Sequence, residues 1–400
     1  MGATWDPIDP AFRADPYPAY RALLEEQPLF QSPYGPLVVS RYEDCMTILR
    51  SPNTSNDWRK SPQWAPAIEE TGETGEDATP SFLFLDPPDH TRLRGLVSGA
   101  FTPRRVEALR PLARRFADDA LDRAGASGRM EVVSELAFPL PVMLICHMLG
   151  VPPEDVDEFK EWSAAMTRGI DPAFTWPPGL LERFRELRKR AMDYFAELIA
   201  KRRSAPGDDL LSALLEAEEQ GERLTERELF TTLNLLLVAG HETTVNLIAN
   251  GVLAFARYPD QFARVQDDPS LLRSAVEEVL RFDPPVHIMG RLPIDEIKLS
   301  CGTVPAFAEL VMLPAAAGRD PAQFHDPDAF DVGRPDNRHL GFGFGIHHCI
   351  GAPLARLEAQ VALGALAKRF KKVELVEDPP VYKDNITLRG IASLEVTLFD

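Results

Sequence analysis

Cysteine is scarce in this chain of 400 residues, which contains only four. They stand at Cys45, Cys146, Cys301 and Cys349, without the spacing of a disulfide framework or of paired zinc ligands. Sparse, unpaired cysteines are typical of a reducing compartment, so we expect a cytoplasmic protein.

Long apolar runs and excess positive charge are lacking as well. No run reaches the roughly 18 apolar residues of a membrane-spanning helix, and the first residues lack the basic and apolar regions of a signal peptide. We therefore expect a protein that is not attached to a membrane. The 43 lysines and arginines are outnumbered by 61 acidic residues, giving a formal net charge of −18, which argues against nucleic acid as a partner.

What the sequence does contain is typical of a globular protein, with 44% hydrophobic and 26% charged residues. Helical periodicity dominates, most clearly between residues 104 and 221. Shorter patterns at residues 37–39 and 371–400 predict strands. The expected fold class is therefore mainly α with a smaller β region (α+β). The proline-rich stretch 52–80 is interpreted equally well as a solvated loop or as a mobile flap over an apolar pocket, and 173–178 is a hinge-like or static apolar loop between two helices.

A glycine-rich stretch, Phe342–Gly351, contains the last cysteine and precedes a helical pattern. It reads Phe-Gly-Phe-Gly-Ile-His-His-Cys-Ile-Gly, and its glycines allow a tight turn with close approach to the backbone. Cys349 faces the unpaired N–H groups and the positive dipole of the following helix, which favour the thiolate. Such a thiolate can be a nucleophile, a redox thiol or a metal ligand, and a buried structural cysteine is the remaining alternative. A zinc site is less favoured, because no second Cys/His pair accompanies it.

Two further motifs combine charged groups with helical spacing. After Asp-Pro-Pro, His90 and Arg94 lie four residues apart on one face of a predicted helix, where they would suit a carboxylate or a phosphate. A solvated basic face is the alternative. Glu278 and Arg281 stand three residues apart on another helix, an arrangement that is common and contributes little where it is exposed.

The longest predicted helix begins at a capping box, Thr225 with Glu228, and ends near Pro259. Its centre, Ala239 to Thr244, reads Ala-Gly-His-Glu-Thr-Thr, which is poor helix-forming material. Such a local conflict indicates a functional site, with a slightly irregular core helix as the alternative. Helical spacing gives one face that is apolar except for an acid and a hydroxyl, formed by Leu235, Val238, Ala239, Glu242 and Thr243.

Together these motifs resemble those of the cytochrome P450 superfamily, in the order and at the spacing of that family and over nearly the whole chain. Its pattern Phe-x-x-Gly-x-(His/Arg)-x-Cys-x-Gly is met by Phe342, Gly345, His347, Cys349 and Gly351. The resemblance implies one domain over residues 1–400, a triangular helical prism that holds haem between the long central helix and the helix after the cysteine loop. The lack of a membrane anchor at the N-terminus resembles the soluble bacterial members.

The resemblance implies that Cys349 is the axial thiolate ligand of haem iron. The cofactor would be non-covalent haem b, since the chain has no Cys-x-x-Cys-His sequence for covalent attachment. The implied partners of its propionates are His90, Arg94, Arg291 and His347. The other residues expected to contact the cofactor or the sulfur are Phe342, Gly343, Ile350, Gly351 and Ala239.

On the opposite side of the haem, the resemblance implies that Thr243 and Glu242 deliver protons in catalysis. The residues expected to face substrate are Leu235, Val238, Ala239, His287, Ile288, Met289, Thr387 and Leu388. Ordinary strand packing is the alternative for residues 287–289. Glu278 and Arg281 would join Arg334 in a buried network that maintains the fold.

The implied function is a haem-thiolate monooxygenase that inserts one atom of O2 into a lipophilic small molecule, by hydroxylation or epoxidation. The expected substrates are a polyketide or macrolide, a terpenoid or steroid, or a fatty acid, as in bacterial secondary metabolism. Electrons would come from a separate ferredoxin and ferredoxin reductase, or from flavodoxin. They would dock on a monomer through Arg92, Arg104, Arg105, Lys371 and Lys372. The alternatives are a peroxide-driven peroxygenase, whose known relatives lack the acid–threonine pair, and a haem-based sensor without turnover.

Overall fold

The computed structural model describes residues 3–63, 80–172, 175–219 and 224–400. Most of the predicted flap at 52–80 and the start of the loop at 173–178 therefore lie outside the described residues. The chain falls into two compact units. The first comprises Met1–Thr54, Glu107–Leu140 and Thr243–Asp400, and the second comprises Ser55–Val106 and Pro141–Glu242. The single domain expected from the sequence stays a prediction.

Helices dominate the described residues, and the strands are few and short, so the α+β prediction is confirmed. The α-helices are α1 (Pro10–Ala14), α2 (Tyr17–Glu26), α3 (Tyr42–Arg50), α4 (Asp89–Ser98), α5 (Pro103–Ala108), α6 (Arg110–Ser127), α7 (Pro139–Leu149), α8 (Val156–Arg168), α9 (Leu180–Ser204), α10 (Leu210–Glu219), α11 (Glu226–Arg257), α12 (Pro259–Asp267), α13 (Leu272–Phe282), α14 (Pro314–Ala317) and α15 (Ala352–Arg369). The strands are β1 (Leu29–Gln31), β2 (Leu37–Val39), β3 (Thr54–Ser55), β4 (Arg129–Glu131), β5 (Met289–Pro293), β6 (Ile297–Leu299), β7 (Gly302–Val304), β8 (Leu310–Met312), β9 (Lys372–Leu375), β10 (Val381–Tyr382), β11 (Ile391–Ser393) and β12 (Glu395–Phe399).

The sheet of the first unit separates two apolar clusters. In it, β2 pairs with β8 in parallel and with β1 in antiparallel register, and β5 pairs with β8 in antiparallel register. Successive side chains of a strand point to opposite faces. Val38 and Val311 therefore join a cluster with Tyr20, whereas Val39 and Met312 join a second cluster on the other face.

The helix α11 begins as the sequence predicts. The N–H of Thr225 donates to the Glu228 carboxylate over 2.8 Å, and the N–H of Glu228 donates to the Thr225 hydroxyl over 3.1 Å, which completes the capping box. The helix runs for 32 residues, or about 48 Å. Gly251 lets it approach a neighbour within the first unit, because a Cβ built there would lie 2.7 Å from Leu363 of α15.

The second unit has an aromatic core between α8 and α9. The ring centroids of Phe159 and Trp162 on α8 lie 4.8 Å apart. Tyr194 on α9 lies 5.2 Å from Phe159 and 5.5 Å from Trp162. Aromatic pairs at these separations contribute to stability beyond the area that they bury. The two helices are therefore fixed to each other by rigid side chains.

Candidate functional site

The cysteine loop of the first unit is shaped by glycine. Gly343 and Gly345 adopt left-handed conformations, with φ of 66° and 77°, which residues with a Cβ rarely adopt. Two backbone hydrogen bonds close the loop. The N–H of Cys349 donates to the Phe342 carbonyl over 2.9 Å, and the N–H of His348 donates to the Gly345 carbonyl over 3.0 Å. These bonds fix the cysteine backbone just before α15.

Cys349 is half-buried at the N-terminal end of α15 and forms no disulfide bond. A Cβ built on Gly351 would lie 3.9 Å from its sulfur, so the glycine keeps the space beside the sulfur open. Among the described residues, no group of three or more His, Cys, Asp and Glu side chains is placed to hold a metal ion, which disfavours zinc. A lone thiolate suits a metal that brings its other ligands with it, as haem iron does. The donor set therefore fits haem.

Phe342 packs against side chains from the two ends of the loop. The guanidinium of Arg356 lies 4.5 Å from its ring centroid, in the range of a cation–π contact. The rings of His339 and His348 lie 5.9 and 6.3 Å away. Arg356 also donates from Nε to Glu277 of α13 over 2.6 Å. The Phe342 ring is thereby held by Arg356, His339 and His348, and Glu277 of α13 holds Arg356 in turn.

Glu277 of α13 binds residues on both sides of the cysteine loop and so forms a tie between α13 and the loop. The sequence analysis did not predict this tie. Nε2 of His339 lies 3.0 Å from its carboxylate, and Arg356 donates to both of its oxygens. Burial would raise the pKa of Glu277, but the hydrogen bonds from His339 and Arg356 outweigh burial and lower the pKa to about 2. No local pattern indicates this tie, because its partners lie 62 and 79 residues along the chain.

The adjacent Glu278 belongs to a second network, in which Glu278 and Arg281 are fully buried and Arg334 and Asn337 are half-buried. Arg281 donates to both of its carboxyl oxygens, over 2.8 and 2.7 Å. Arg334 donates to the same carboxylate over 3.1 Å, and Asn337 adds a hydrogen bond of 3.0 Å. The remaining N–H groups of the Arg281 guanidinium donate to backbone carbonyls. Because every charge here is paired and removed from solvent, the geometry agrees with the predicted role in maintaining the fold.

The cysteine loop also borders an open cavity of about 490 Å³. Basic and aromatic side chains line this cavity, among them Arg50, Arg338, Phe342, Phe344, His348 and Arg356. Phe344 and Ile346 of the loop are 40% and 56% exposed, and the Arg50 guanidinium lies 5.2 Å from the Phe344 ring. Glu43 and Glu277 line the cavity too, so the surface beside the loop presents apolar groups together with three arginines and two glutamates.

The Ala-Gly-His-Glu-Thr-Thr motif lies in the middle of α11, which continues through it without a break. The residues predicted to share one face differ in exposure: Val238 and Glu242 are buried, Leu235 and Thr243 are half-buried, and Ala239 is exposed. An exposed alanine within a long and otherwise largely buried helix indicates open space beside it. Gly240 is explained by packing within the second unit, since a Cβ built there would lie 3.0 Å from Ile145 of α7.

The predicted propionate partners fall in both units. In the second unit, His90 is buried on α4 and Arg94 is half-buried one turn later. Burial, together with the charge of Arg94, lowers the pKa of His90. In the first unit, Arg291 is half-buried on β5 and donates to the Gly290 carbonyl over 2.8 Å, while His347 is half-buried in the cysteine loop. Their role toward the cofactor stays a prediction.

His287 and Ile288 pack inward. Nδ1 of His287 lies 2.9 Å from the Tyr20 hydroxyl, and Nε2 lies 3.5 Å from Asp283. Ile288 belongs to the apolar cluster that contains Tyr20 and Leu23. These contacts favour ordinary packing, the alternative given above, and contact of the two residues with substrate stays a prediction.

Met289 and the C-terminal turn keep their predicted role. The N–H of His287 donates to the Thr387 carbonyl over 2.9 Å, so the two predicted substrate-facing segments are neighbours. Thr387 is half-buried and Leu388 is buried. The sulfur of Met289 lies beside the cysteine loop, 3.8 Å from a Cβ built on Gly343. Contact with substrate remains a prediction for these residues.

A further buried network, around Asp283, was missed by the sequence analysis. Arg389 donates to both of its carboxyl oxygens over 2.8 Å, and the Tyr17 hydroxyl donates over 2.7 Å. Burial would raise the pKa of Asp283, but the charge of Arg389 and the hydrogen bonds hold the pKa well below its usual range. The network joins α2, the end of α13 and the C-terminal turn.

None of the helices in the described part of the chain combines the length and the apolar character that crossing a membrane requires.

Known proteins resemble this chain over nearly its whole length. The family model "Cytochrome P450" matches residues 66–397. The vitamin D(3) 25-hydroxylase of Pseudonocardia autotrophica is 40% identical, over 97% of this chain and 94% of that protein. Cytochrome P450 monooxygenase PikC of Streptomyces venezuelae is 40% identical, over 96% and 91%. The crystal structure of ligand-free CYP164A2 of Mycobacterium smegmatis is 44% identical, covers 98% of both chains and gives a TM-score of 0.90.

These matches confirm the resemblance, the fold and the enzyme class that the motifs predicted. The family is one of haem-iron proteins, and the cysteine loop described above fits that cofactor. The chain belongs to the cytochrome P450 family and is a P450 monooxygenase of the bacterial type.

Proposed function

We propose that this monooxygenase binds non-covalent haem b through Cys349 and inserts one atom of O2 into a lipophilic small molecule, by hydroxylation or epoxidation. The observation that carries the proposal is the half-buried thiol held before α15 by the glycine loop. Bound haem iron supplies the activation of oxygen, and a thiolate ligand favours cleavage of the O–O bond. The chain supplies the ligand, the orientation and the protons.

Several residues of this chain would hold the cofactor. The Cys349 thiolate would bind the iron, and the N–H groups of Ile350 and Gly351 would donate to its sulfur and lower its charge. Phe342 would pack against the cofactor, with Arg356 fixing the ring from the other side. Gly343 and Ala239 leave room for it because neither has a bulky side chain. The propionates would pair with His90, Arg94, Arg291 and His347.

Proton delivery would depend on Glu242 and Thr243 of α11. Reductive cleavage of O2 consumes two protons, which must reach an apolar pocket without bulk water. The Thr243 hydroxyl would hold one water molecule by a hydrogen bond. The Glu242 carboxyl group would pass protons to that water by rotating between the pocket and the solvent side.

A lipophilic substrate is favoured by the side chains of α11 beside the motif, Leu235 and Val238, and by the small Ala239. One relative is named for the hydroxylation of vitamin D(3), a molecule that is largely apolar. We infer a substrate of that general chemistry. It would be a polyketide or macrolide, a terpenoid or steroid, or a fatty acid.

A separate ferredoxin with its reductase, or a flavodoxin, would deliver electrons at the open cavity beside the cysteine loop. Part of the basic patch expected from the sequence is compensated, because Arg92 pairs with Glu228 and Lys372 pairs with Glu374. Arg104, Arg105 and Lys371 are exposed and stay candidates. Arg50 and Arg338 line the cavity beside the cysteine loop, so we add them to the docking surface, where Arg338 also pairs with Asp336. A monomer in the cytoplasm remains our expectation.

Isotope labelling tests this proposal against the peroxygenase and the sensor. The protein is supplied with surrogate ferredoxin, reductase and a compound that shifts its Soret band, under 18O2. We expect a product that carries one 18O atom. Label that enters only from added H2(18)O2 would favour the peroxygenase. No product from any compound that shifts the spectrum would favour the sensor and contradict the proposal.

A further inference from the structure

Glu277 is a half-buried acid of α13 to which the proposed function gives no role. Burial would raise its pKa, but the hydrogen bonds from His339 and Arg356 outweigh burial and lower the pKa to about 2. The side chain is therefore a carboxylate at neutral pH. Both of its partners touch the loop that presents the iron ligand, so the contacts of each partner indicate what the carboxylate does beyond stabilising the fold.

The first partner, Arg356 of α15, holds the ring of Phe342. It donates to Glu277 from Nε over 2.6 Å and from Nη2 over 2.9 Å, one bond to each carboxylate oxygen. Such a two-point pairing fixes the plane of the guanidinium, which lies 4.5 Å from the Phe342 ring centroid. The Arg356 side chain is 34% exposed and would otherwise sample several rotamers. Glu277 therefore supplies the Phe342 ring with a fixed surface on one side.

The second partner, His339, holds the start of the loop. The backbone N–H of Gly341 donates to Nδ1 of His339 over 3.1 Å. Because a backbone N–H can only donate, Nε2 carries the ring hydrogen and donates it to Glu277 over 3.0 Å. A Cβ built on Gly341 would lie 2.9 Å from the Leu280 carbonyl of α13. The backbone directly before Phe342 is thereby held against α13.

Phe342 is in turn joined to the iron ligand through the backbone. The N–H of Cys349 donates to the Phe342 carbonyl over 2.9 Å and closes the loop. A displacement of Phe342 therefore moves the backbone of the cysteine. Groups that orient a metal ligand without touching the metal tune the metal's properties, and the axial ligand is one of the main determinants of the potential of haem iron.

We propose that Glu277 is a positioning residue for the iron ligand. It fixes Phe342 through its two partners, and Phe342 in turn fixes Cys349. The carboxylate thereby sets how firmly the thiolate is held and, with it, the reduction potential of bound haem iron. The inference rests on the proposed function, because it requires that Cys349 is the ligand.

A redox titration of the haem-loaded protein without substrate tests the proposal. A thiolate that is held less firmly donates less charge to the iron, which favours the ferrous state. In Glu277→Gln we expect the ratio of ferrous to ferric iron at a fixed potential to rise about tenfold, which is equivalent to a midpoint about 59 mV higher. Arg369→Gln is the matched control, because it breaks an ion pair of 2.9 Å with Asp118 at the other end of α15. Its midpoint should equal that of the unchanged protein.

Two substitutions of Arg356 distinguish positioning from the effect of charge alone. Loss of a positive charge in Arg356→Gln would by itself disfavour the ferrous state and lower the midpoint. Positioning predicts the opposite, a midpoint that rises as it does in Glu277→Gln. Arg356→Lys keeps the charge but loses the planar fork, so its midpoint should rise as well. A lower midpoint in Arg356→Gln, or an unchanged one in Arg356→Lys, would overturn the inference.

The dependence on Phe342 gives a further test. In a Phe342→Leu background, most of the rise caused by Glu277→Gln should disappear, because the route through Arg356 ends on the ring. A rise of the same size in both backgrounds would overturn the inference.

The spectrum of the reduced protein under carbon monoxide separates this inference from the proposed function. An unchanged protein without the red-shifted Soret band of a thiolate ligand would overturn both. A normal band, together with a midpoint that Glu277→Gln leaves unchanged, would overturn the inference alone.

Discussion

Thr243 shows how much a single hydroxyl is expected to do in this enzyme. We predict that Thr243→Ala binds haem and substrate normally, because alanine is a better helix former than threonine. Without the hydroxyl that holds the delivered water, electrons should be diverted to hydrogen peroxide. Product formed per electron pair should fall about tenfold, measured as product and peroxide against reductant consumed.

Thr231 provides a matched control for this change. It lies on the same helix, several turns before Glu242 and Thr243. Its hydroxyl donates to the Glu228 carbonyl over 3.2 Å. Thr231→Ala should keep the coupling of the unchanged protein. Full coupling in Thr243→Ala would show that this hydroxyl takes no part in proton delivery.

Glu358 on α15 is a buried acid whose charge state should affect stability. The side chain is fully buried, and the Thr244 hydroxyl is the polar group that acts on its carboxyl group. Burial raises the pKa of Glu358 well above its ordinary value, against a smaller lowering by the Thr244 hydroxyl. The acid is therefore protonated in the folded protein at pH values where it is ionised in the unfolded chain.

The sign of the resulting pH dependence is fixed. Above the unfolded pKa of about 4.3, the unfolded chain gains stability by ionising Glu358, so the folded protein loses stability as pH rises. Glu358→Gln cannot ionise. We predict that its free energy of unfolding, relative to that of the unchanged protein, rises by up to about 1.4 kcal/mol per pH unit between pH 5 and 7. Urea midpoints at each pH measure it. Glu197→Gln, an exposed position on α9, should show no such trend.

At the scale of elements, the tie between α13 and the cysteine loop should stabilise the fold in a pH-dependent way. The pKa of Glu277 is lowered to about 2, so its contribution is present above the unfolded pKa of about 4.3 and is lost as pH falls toward 2. We predict that Glu277→Gln lowers the free energy of unfolding by about 2 kcal/mol at pH 7, after allowing for partial exposure. The loss should be smaller at pH 3.

A double-mutant cycle identifies the partner in this tie. Arg356→Gln removes the guanidinium that donates to Glu277 and lies over Phe342. If the ion pair carries the effect, the double variant should lose less stability than the sum of the two single losses. Strictly additive losses, or a Glu277→Gln penalty that does not change between pH 7 and pH 3, would contradict the assignment.

At the scale of the whole molecule, interactions between residues close in sequence could be predicted, whereas interactions between distant residues could not. The capping box of Thr225 with Glu228 and the pairing of Glu278 with Arg281 could be predicted because each is contained within one turn of helix. The Asp283–Arg389 and Glu277–Arg356 pairs could not, since 106 and 79 residues separate their partners. The contact between His287 and Tyr20 could not be predicted either, because 267 residues separate the two.

The rate of electron delivery depends on the charges of the surface on which the electron donor docks. We predict that ferredoxin-driven turnover falls as ionic strength rises, because salt screens the attraction between the acidic partner and the arginines beside the cysteine loop. Arg338 is largely exposed and its pair with Asp336 is exposed as well, so the arginine is accessible to a partner and Arg338→Glu should raise the KM for ferredoxin about fivefold. Peroxide-supported turnover needs no partner and should respond to neither change. Ferredoxin-driven rates that are independent of salt would exclude this docking surface.

The bond between Cys349 and iron is the centre of the whole account, and the spectrum of the reduced protein under carbon monoxide tests it most directly. We predict the strongly red-shifted Soret band of a thiolate opposite carbon monoxide in the unchanged protein and in Cys301→Ser, and its loss in Cys349→Ser. A freshly prepared, haem-loaded protein that lacks this band, or a Cys349→Ser variant that keeps it, would contradict the account.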